Sequence, residues 1–539
     1  MSMSRRRFLK SGSTVALSSA ISSEAFADLN KVEIPASGDW DQGVVRHILP
    51  TVNESRMLIK VSFQNSLKSP PILRIGSEKV VGKMEDSLGE NWSFYRDELT
   101  PGKTYELQLS SDQGKNLCAP WPLSTFPDPG QKVKNFRLLI YTCAGGHELH
   151  KFLPTQLRNQ LLKRGLSYKP DAMIANGDHV YWDLLAPVGS TLFGKRPESI
   201  AYAGVFDRSS MVLGTSNESV LKKAAGTQIT PVYGTDFRSI PVFFLQDDHD
   251  YFDNDEATDE IVTFPPSFYM MQLARSTQNL YYPEFLADRG RPLGLPWSSA
   301  KDKAPGVSES FGTLRYGNLA EILLYDVRRT LTLAGPSAVY LDPEVERWLQ
   351  TRTASSDVRH VVHVPSNPPG WTAGKWGEWY PDVLGQDGKL TIQEKKPYWQ
   401  SGWLKQHDRL MKTIASQRDR IPLIISGDLH ATALGAMHRT GTVDLSKNPV
   451  NVLLSGPIGC RPGPNGWPSG RRGTGAKPSL YLDFTEEVSP IEQHGFSIVD
   501  FTPDEIKIQM FKWDIKTQSS ADIGNLQPFH TKTLTARSS

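Results

Sequence analysis

The sequence predicts an α/β domain preceded by a small all-β domain. Three observations lead there. Up to about residue 130, apolar residues alternate with polar ones and turn residues punctuate them. From about residue 135, short apolar runs alternate with longer amphipathic stretches. Three of those apolar runs end in acids and histidines, and the carboxyl ends of strands are where an open α/β sheet presents its ligands.

The first part, 28–130, contains alternating segments such as Met57-Leu58-Ile59-Lys60-Val61-Ser62-Phe63 and Thr104-Tyr105-Glu106-Leu107-Gln108-Leu109. Turns such as Thr100-Pro101-Gly102-Lys103 separate them. Short strands with regular turn signals suggest a β-sandwich of immunoglobulin or fibronectin type. Asp128-Pro129-Gly130 reads as the linker to the second part, 131–539. There, Phe152 to Arg164 predicts a helix with Phe152, Leu153, Leu157, Leu161 and Leu162 on one face. Strands are expected at 240–246, 319–326, 359–364 and 421–426, a helix at 403–419, and a return to strands over 480–517. Segments 183–239, 264–312 and 366–402 read as long loop-rich insertions, a usual place for lids and substrate walls.

A chain of 539 residues suits two or three domains. Its N-terminus reads as an address. Ser4-Arg5-Arg6-Arg7-Phe8-Leu9-Lys10 matches the twin-arginine pattern, Val15 to Ile21 is mildly apolar, and Ala25-Phe26-Ala27 is an A-x-A cleavage site. Residues 1–27 are therefore expected to be a signal for the twin-arginine translocase, leaving a periplasmic or secreted protein that starts near Asp28. That route carries folded proteins, so metal can be loaded before export. Removing the signal takes the formal charge from +2 to −1, which gives no support to a nucleic-acid partner. No other apolar run approaches the roughly 18–20 residues of a membrane helix. Three cysteines, Cys118, Cys143 and Cys460, are an odd number, so at least one is free or a ligand.

The runs that carry chemistry are Ile174-Ala175-Asn176-Gly177-Asp178-His179-Val180-Tyr181, Leu245-Gln246-Asp247-Asp248-His249-Asp250 and Ile425-Ser426-Gly427-Asp428-Leu429-His430. A carboxylate such as Asp178, at the end of a buried strand, can bridge two cations. A phenolate beside it, Tyr181, suits a strongly Lewis-acidic ion, Fe(III) above all. Cys143 ends another apolar run before a glycine turn and would give a thiolate to the same ion, which would lower its pKa. His430 is the expected imidazole on that side. Asp248, Asn254 and Asp428 are oxygen ligands that fit a harder second ion such as Ca²⁺. Mn or Zn is also compatible with the donor set. Arg328-Arg329 follows the strand end Tyr325-Asp326 and is the better-placed anion clamp; Arg461, Arg471 and Arg472 sit in a Gly- and Pro-rich run whose default reading is a solvated loop.

Taken in order, Thr142-Cys143, Gly177-Asp178-His179-Val180-Tyr181, Asp247-Asp248-His249-Asp250 with Asp253-Asn254, and Gly427-Asp428-Leu429-His430-Ala431-Thr432 resemble the motifs of the alkaline phosphatase D (PhoD-like) family of metallophosphoesterases. The resemblance covers most of the mature chain, including Leu99 to Tyr105 in the β domain. It implies a metallophosphoesterase-type αββα sandwich, an iron and calcium site, and a phosphate ester substrate. Two ions would bind the phosphate and activate water for in-line displacement. Asp178 and His249 are then the expected catalytic residues. Neighbouring carboxylates favour a charged His249, which could protonate a leaving group or hold a phosphoryl oxygen. The chain departs from the family at Asp250 (Glu expected), Asp253 (Asn expected), Ala144-Gly145-Gly146 (Gln often follows the Cys) and Ala431-Thr432 (Ser usual). These departures bear on substrate preference more than on hydrolysis.

Plainer readings stand beside these. Cys143 could be a core thiol, Tyr181 a packed tyrosine, Asp247 or Asp253 a loop carboxylate, and Asp250 a solvated or helix-capping acid. His363 resembles the strand-end metal histidine of purple acid phosphatases; as a ligand it would favour a purple-acid-like phosphatase. Trp371, Trp376, Trp379 and Tyr380 belong to an aromatic loop that lines a cleft or packs on itself. A competing function of another class is a non-catalytic, metal-dependent cell-surface binding protein, against which the intact ligand set speaks. Among substrates, the long insertions favour a diester, which a groove can hold, over a monoester.

Overall fold

The computed structural model describes residues 40–182, 196–251, 265–286, 307–308, 311–332, 337–355, 357–372, 383–384, 390–391, 401–417, 419–460, 476–479 and 481–536. The N-terminal signal, Asp253, Asn254, Trp376, Trp379, Tyr380, Arg461, Arg471 and Arg472 lie outside the described residues.

Period-two alternation in the first part produces eight strands: β1 (Val45–Val52), β2 (Met57–Phe63), β3 (Ile72–Ile75), β4 (Glu78–Val81), β5 (Lys83–Met84), β6 (Asn91–Arg96), β7 (Thr104–Ser110) and β8 (Trp121–Ser124). They form two antiparallel sheets in the orders β1-β2-β6-β5 and β4-β3-β7-β8. On β7, Tyr105, Leu107 and Leu109 turn inward while Thr104 and Glu106 stay exposed. The inner faces bury Val45, Val61, Leu73, Leu107 and Trp121.

The second part is an α/β sandwich, as the sequence predicts. Its first sheet contains β9 (Phe136–Thr142), β10 (Ala172–Asn176), β11 (Val242–Leu245), and later strands whose numbers follow below. Its helices include α1 (Thr155–Leu166), α2 (Thr227–Tyr233), α3 (Phe268–Tyr281), α4 (Pro343–Ser355) and α5 (Ser401–Ala415). The second sheet contains β12 (Phe311–Tyr316), β13 (Ala320–Tyr325), β14 (His360–Pro365), β15 (Leu423–Ser426), β16 (Thr432–Thr440), β17 (Val450–Leu454) and β18 (Leu482–Ile491). The chain then returns to the first sheet with β19 (His494–Phe501), β20 (Glu505–Trp513) and β21 (His530–Thr535). The first sheet has the order β11-β10-β9-β19-β20-β21, parallel over β9 to β11. The second runs β12-β13-β14-β15-β17-β16, parallel from β13 to β17, with β18 paired to β16.

One core unites the two sheets: Leu138, Ile140, Ile174 and Phe243 from the first share it with Ile322, Val362, Leu423 and Leu453 from the second. Outside the second sheet, Leu323, Val361 and Ile424 pack with Val345 and Leu349 of α4 and Leu410 and Ile414 of α5. On the first sheet's other face, α1 comes so close that a Cβ at Gly165 would stand 2.9 Å from the Leu139 methyls.

Two local expectations are corrected. α1 starts at Thr155 rather than Phe152, because Pro154 occupies the N-cap, and the residue before a proline is driven away from helical angles. Phe152 is still buried, against the ring of Tyr181 at 4.7 Å. The insertions at 183–239 and 264–312 carry helices, among them α2 and α3. The signals for α3 were present: Ser267 caps the amide of Met270, and Met270, Leu273, Ala274, Thr277 and Tyr281 recur on one buried face.

Several histidines pack inside this frame. Burial pushes His47, His179, His360 and His407 down to about 4, and His363 and His494 to about 3. They are neutral in the fold and take up protons on unfolding below about pH 6.5. Their stabilisation is therefore present above that pH and lost as the pH falls towards 4, by roughly 1.4 kcal/mol per unit for each histidine. The urea midpoint is expected to be lower at about pH 5 than at about pH 7; a midpoint equal at both would contradict this.

Candidate metal centre

Strand register brings the predicted donors together. Thr142, Asn176 and Leu245 are cross-strand partners at the carboxyl ends of β9, β10 and β11. The residues that follow, Cys143, Gly177-Asp178 and Gln246-Asp247-Asp248-His249, therefore leave the sheet at one level. On the facing sheet β15 ends at Ser426 and delivers Gly427-Asp428-Leu429-His430, while β13 ends at Tyr325 and delivers Asp326-Val327-Arg328. Thr142 joins the two sheets: its Oγ1 donates to the Asn176 carbonyl at 2.6 Å and accepts from the Asp428 amide at 3.3 Å. No side chain fits at Gly427, where a Cβ would stand 2.2 Å from Thr142 Oγ1.

Around Asp178 three donor groups converge, and all four residues are buried. The Tyr181 hydroxyl lies 2.8 Å from Asp178 Oδ2 and 2.8 Å from His430 Nε2. Cys143 Sγ lies 3.2 Å from Asp178 Oδ2, and His430 Nε2 3.5 Å from it. Burial holds the Cys143 thiol and the Tyr181 phenol far above their ordinary ranges, and the Asp178 charge adds to it. A bound cation is what reverses such a shift. Burial would also raise Asp178, but the imidazoles of His249 and His430 outweigh it and hold the carboxyl down. Burial opposes a charged His430, yet Cys143 and Asp178 raise it to about 10. Asp178 Oδ1 and His430 Nδ1 are buried without a hydrogen-bond partner among the described residues. Orphaned buried polar atoms of this kind ask for an ion or water.

The backbone carries a second mark. Seven non-glycine residues among those described have positive φ, and four of them are predicted ligands: Cys143 at 51°, Asp178 at 57°, Asp428 at 71° and His430 at 52°. A left-handed conformation costs such residues roughly 1–2 kcal/mol each, and strain of this kind collects at functional sites.

Two residues that hold these turns were missed. Asp250 is neither solvated nor a helix cap. It is buried, and its carboxylate accepts the amides of Asp178 (2.9 Å), His179 (2.8 Å), Val180 (3.1 Å) and Asp247 (2.9 Å). Burial and the Asp178 charge push its carboxyl up, against the pull of those amides. Gln228, on α2, accepts the Gly146 amide at 2.7 Å and the Tyr181 amide at 2.8 Å, and returns a bond to the Tyr181 carbonyl at 2.9 Å. Neither role has a sequence signal, since both depend on contacts across the fold.

A second group, Asp247, Asp248 and Asp428, offers carboxylate oxygens within 4.8 Å of one another; Asp178, Asp248 and His249 form another such group. The ring of His249 lies tilted against that of Tyr181, with centroids 4.2 Å apart. Arg328 and Arg329, expected as an anion clamp, already have carboxylate partners. Both are buried. Arg328 pairs with Asp247, with Asp428 at 3.0 Å and, more distantly, with Asp248 at 3.9 Å. Burial would lower its pKa, but these carboxylates hold it far up. Arg329 turns to the Tyr251 hydroxyl at 3.0 Å and to Asp326 at 3.8 Å. Arg328 thus compensates the acidic group from within the strand-end cluster.

His363 lies elsewhere, inside the second sheet. Its Nε2 meets Thr353 Oγ1 at 2.9 Å and its Nδ1 faces the Tyr325 hydroxyl at 3.4 Å, so both ring nitrogens serve packing. His363→Gln is expected to leave metal content unchanged, checked by elemental analysis of the purified variant. Trp371 is likewise buried, bonded to Glu486 at 2.7 Å and packed on Phe484. A cleft of about 500 Å³ near Phe136, Arg137 and Asp171 lies at the opposite end of β9, away from these groups.

Comparison with solved structures bears on the fold. A structure of PhoD matches over 93% of this chain and 92% of its own length, at 14% identity and a TM-score of 0.58. The chain shares the fold of that PhoD structure. A purple acid phosphatase isolated from yellow lupin (Lupinus luteus) seeds matches over 90% of this chain and 74% of its own, at 12% identity and a TM-score of 0.51. No family model and no curated protein matches the chain. On this PhoD fold the described donor residues all stand at the carboxyl ends of the two facing sheets. Among the described residues no helix is long and apolar enough to cross a membrane.

Proposed function

We propose that the chain is an exported, metal-dependent phosphoric ester hydrolase, a phosphodiesterase or alkaline phosphatase, with a two-ion site in its catalytic domain, 131–539. The observation that carries this reading is the convergence of Cys143, Asp178, Tyr181 and His430, three of them in left-handed backbone, beside the carboxylates of Asp248 and Asp428. Cys143, Asp178, Tyr181 and His430 would hold Fe(III), whose charge suits a thiolate and a phenolate. Asp178, Asp248 and Asp428, with Asn254 from the sequence pattern, would hold Ca²⁺, an oxygen-seeking ion. Such ions would supply Lewis acidity to the phosphoryl oxygens and lower the pKa of an attacking water.

The chain's own residues do the rest. Asp178 fixes the spacing of the two halves. His249, packed at a tilt against Tyr181, has a ring nitrogen that can deliver a proton to the leaving oxygen. Gln228 and Asp250 keep the ligand-bearing turns in register. Export by the twin-arginine translocase to the periplasm or beyond rests on residues 4–27. The purple-acid-like alternative keeps a neighbour of that fold but is the less favoured reading, since its expected ligand His363 is engaged in packing. The test is hydrolysis of bis(p-nitrophenyl) phosphate and p-nitrophenyl phosphate by the mature protein, with metals assayed on the same sample. Turnover with bound metal, faster on the diester, is expected. Metal-replete protein inactive on both esters would overturn the proposal.

A further inference from the structure

Cys460 stands where no motif places a ligand. The segment from Gly456 runs beside the end of β9, held by a ladder of backbone bonds. The Thr142 amide donates to the Gly456 carbonyl at 3.1 Å, the Ile458 amide to Thr142 at 3.0 Å, and the Gly459 amide to Cys143 at 2.8 Å. The approach requires a glycine: a Cβ at Gly459 would stand 2.5 Å from the carbonyl oxygens of Ala144 and Gly145. His494 then fixes the next residue, its Nε2 meeting the Cys460 carbonyl at 3.0 Å. The outcome is a Cys460 whose sulfur, the Cys143 sulfur and a ring nitrogen of His430 all lie within 4.8 Å of one another, all buried.

Core packing does not account for the pair. Cys143 and Cys460 form an apolar cluster of their own, separate from the core between the sheets and from the one under α4 and α5. Both belong to the rim where donors gather, and neither is in a disulfide.

We propose that Cys460 is a second thiolate ligand of the ion held by Cys143 and His430. This deepens the two-ion reading above and rests on it. A second thiolate makes that half of the site softer than one thiolate with oxygen donors, which favours iron or zinc over manganese or calcium. The acidic half keeps its preference for hard ions, so the two halves are sorted by donor type. Cys118, buried in the β-sandwich core, takes no part.

The test uses the full mature chain, reduced and stripped of metal, then given one equivalent of Zn²⁺, and counts sulfur neighbours by X-ray absorption at the zinc edge. Two sulfurs at about 2.3 Å are expected. One sulfur would overturn the Cys460 assignment and leave the reading of Cys143 standing. No sulfur would overturn both. In parallel, Co²⁺ is bound to the wild type and to Cys460→Ser, and the thiolate-to-metal charge-transfer band is compared. Its intensity should fall by about half in the variant; an unchanged band would overturn the proposal. A Cys143–Cys460 disulfide persisting in metal-loaded protein would do so too. The absorption measurement needs no variant, so it decides the matter even if Cys460→Ser fails to fold.

Discussion

Cys143→Ala and Asp178→Asn are each expected to lower diester hydrolysis by about a thousandfold or more, equivalent to about 4 kcal/mol of lost transition-state stabilisation. The two variants should differ in what metal they keep. The Cys143 sulfur belongs to the donor group of His430 and not to the carboxylate group of Asp247, Asp248 and Asp428, so its loss should deplete iron and spare calcium. Asp178 faces both halves: one oxygen meets Cys143, Tyr181 and His430, and the carboxylate also lies in the group with Asp248 and His249. Its amide replacement keeps shape but removes the charge and half the acceptor capacity, so both metals should be lost. Elemental analysis beside turnover checks this. Iron retained in Cys143→Ala would show the thiol to be core packing after all.

Asp250→Ala is expected to destabilise the protein by about 4 kcal/mol or more and to strip the site of metal, although Asp250 is not itself a ligand. The carboxylate serves four amides in a buried turn. A buried donor left without a partner costs about 1–3 kcal/mol. Asp250→Asn should be little better, because its NH₂ end would face N–H donors. Losing this acceptor also frees Asp178 from its left-handed conformation, which three of the four bonds surround. Urea unfolding and metal content of the variant test it. A loss under about 0.5 kcal/mol, the usual effect of a surface substitution, would return Asp250 to the role of a solvated acid.

Much of this was legible in the sequence because strands have a simple grammar. An apolar run that ends in Gly-Asp announces both a buried strand and the place where it stops being buried. Two such runs marked Asp178 and Asp428, and two further apolar runs, ending in Thr142-Cys143 and Asp247-Asp248, marked the rest of the cluster. The β-sandwich was legible for the same reason, through the alternation of β2 and β7. What stayed hidden depends on contacts between distant segments. Cys460 follows a strand end with no acid or histidine beside it, and only the ladder onto β9 makes it a neighbour of Cys143. Gln228 sits in a stretch read as loop, and its importance lies in two amides 82 and 47 residues away. Arg328 stands at a strand end, as its pattern announces, but that it faces carboxylates of the same cluster depends on strands far apart in the chain. His363 shows the converse: a strand histidine in a suggestive pattern, occupied by Thr353 and Tyr325 once the helix packs.

The central claim is that one ion sits among Cys143, Asp178, Tyr181 and His430. Anomalous diffraction from a crystal of the full mature protein, recorded on both sides of the iron absorption edge, tests it most directly. The account predicts an iron peak within bonding distance of those four side chains and a lighter, oxygen-coordinated ion beside Asp248 and Asp428. A difference map without a peak at Cys143, in protein that hydrolyses the diester, would contradict it.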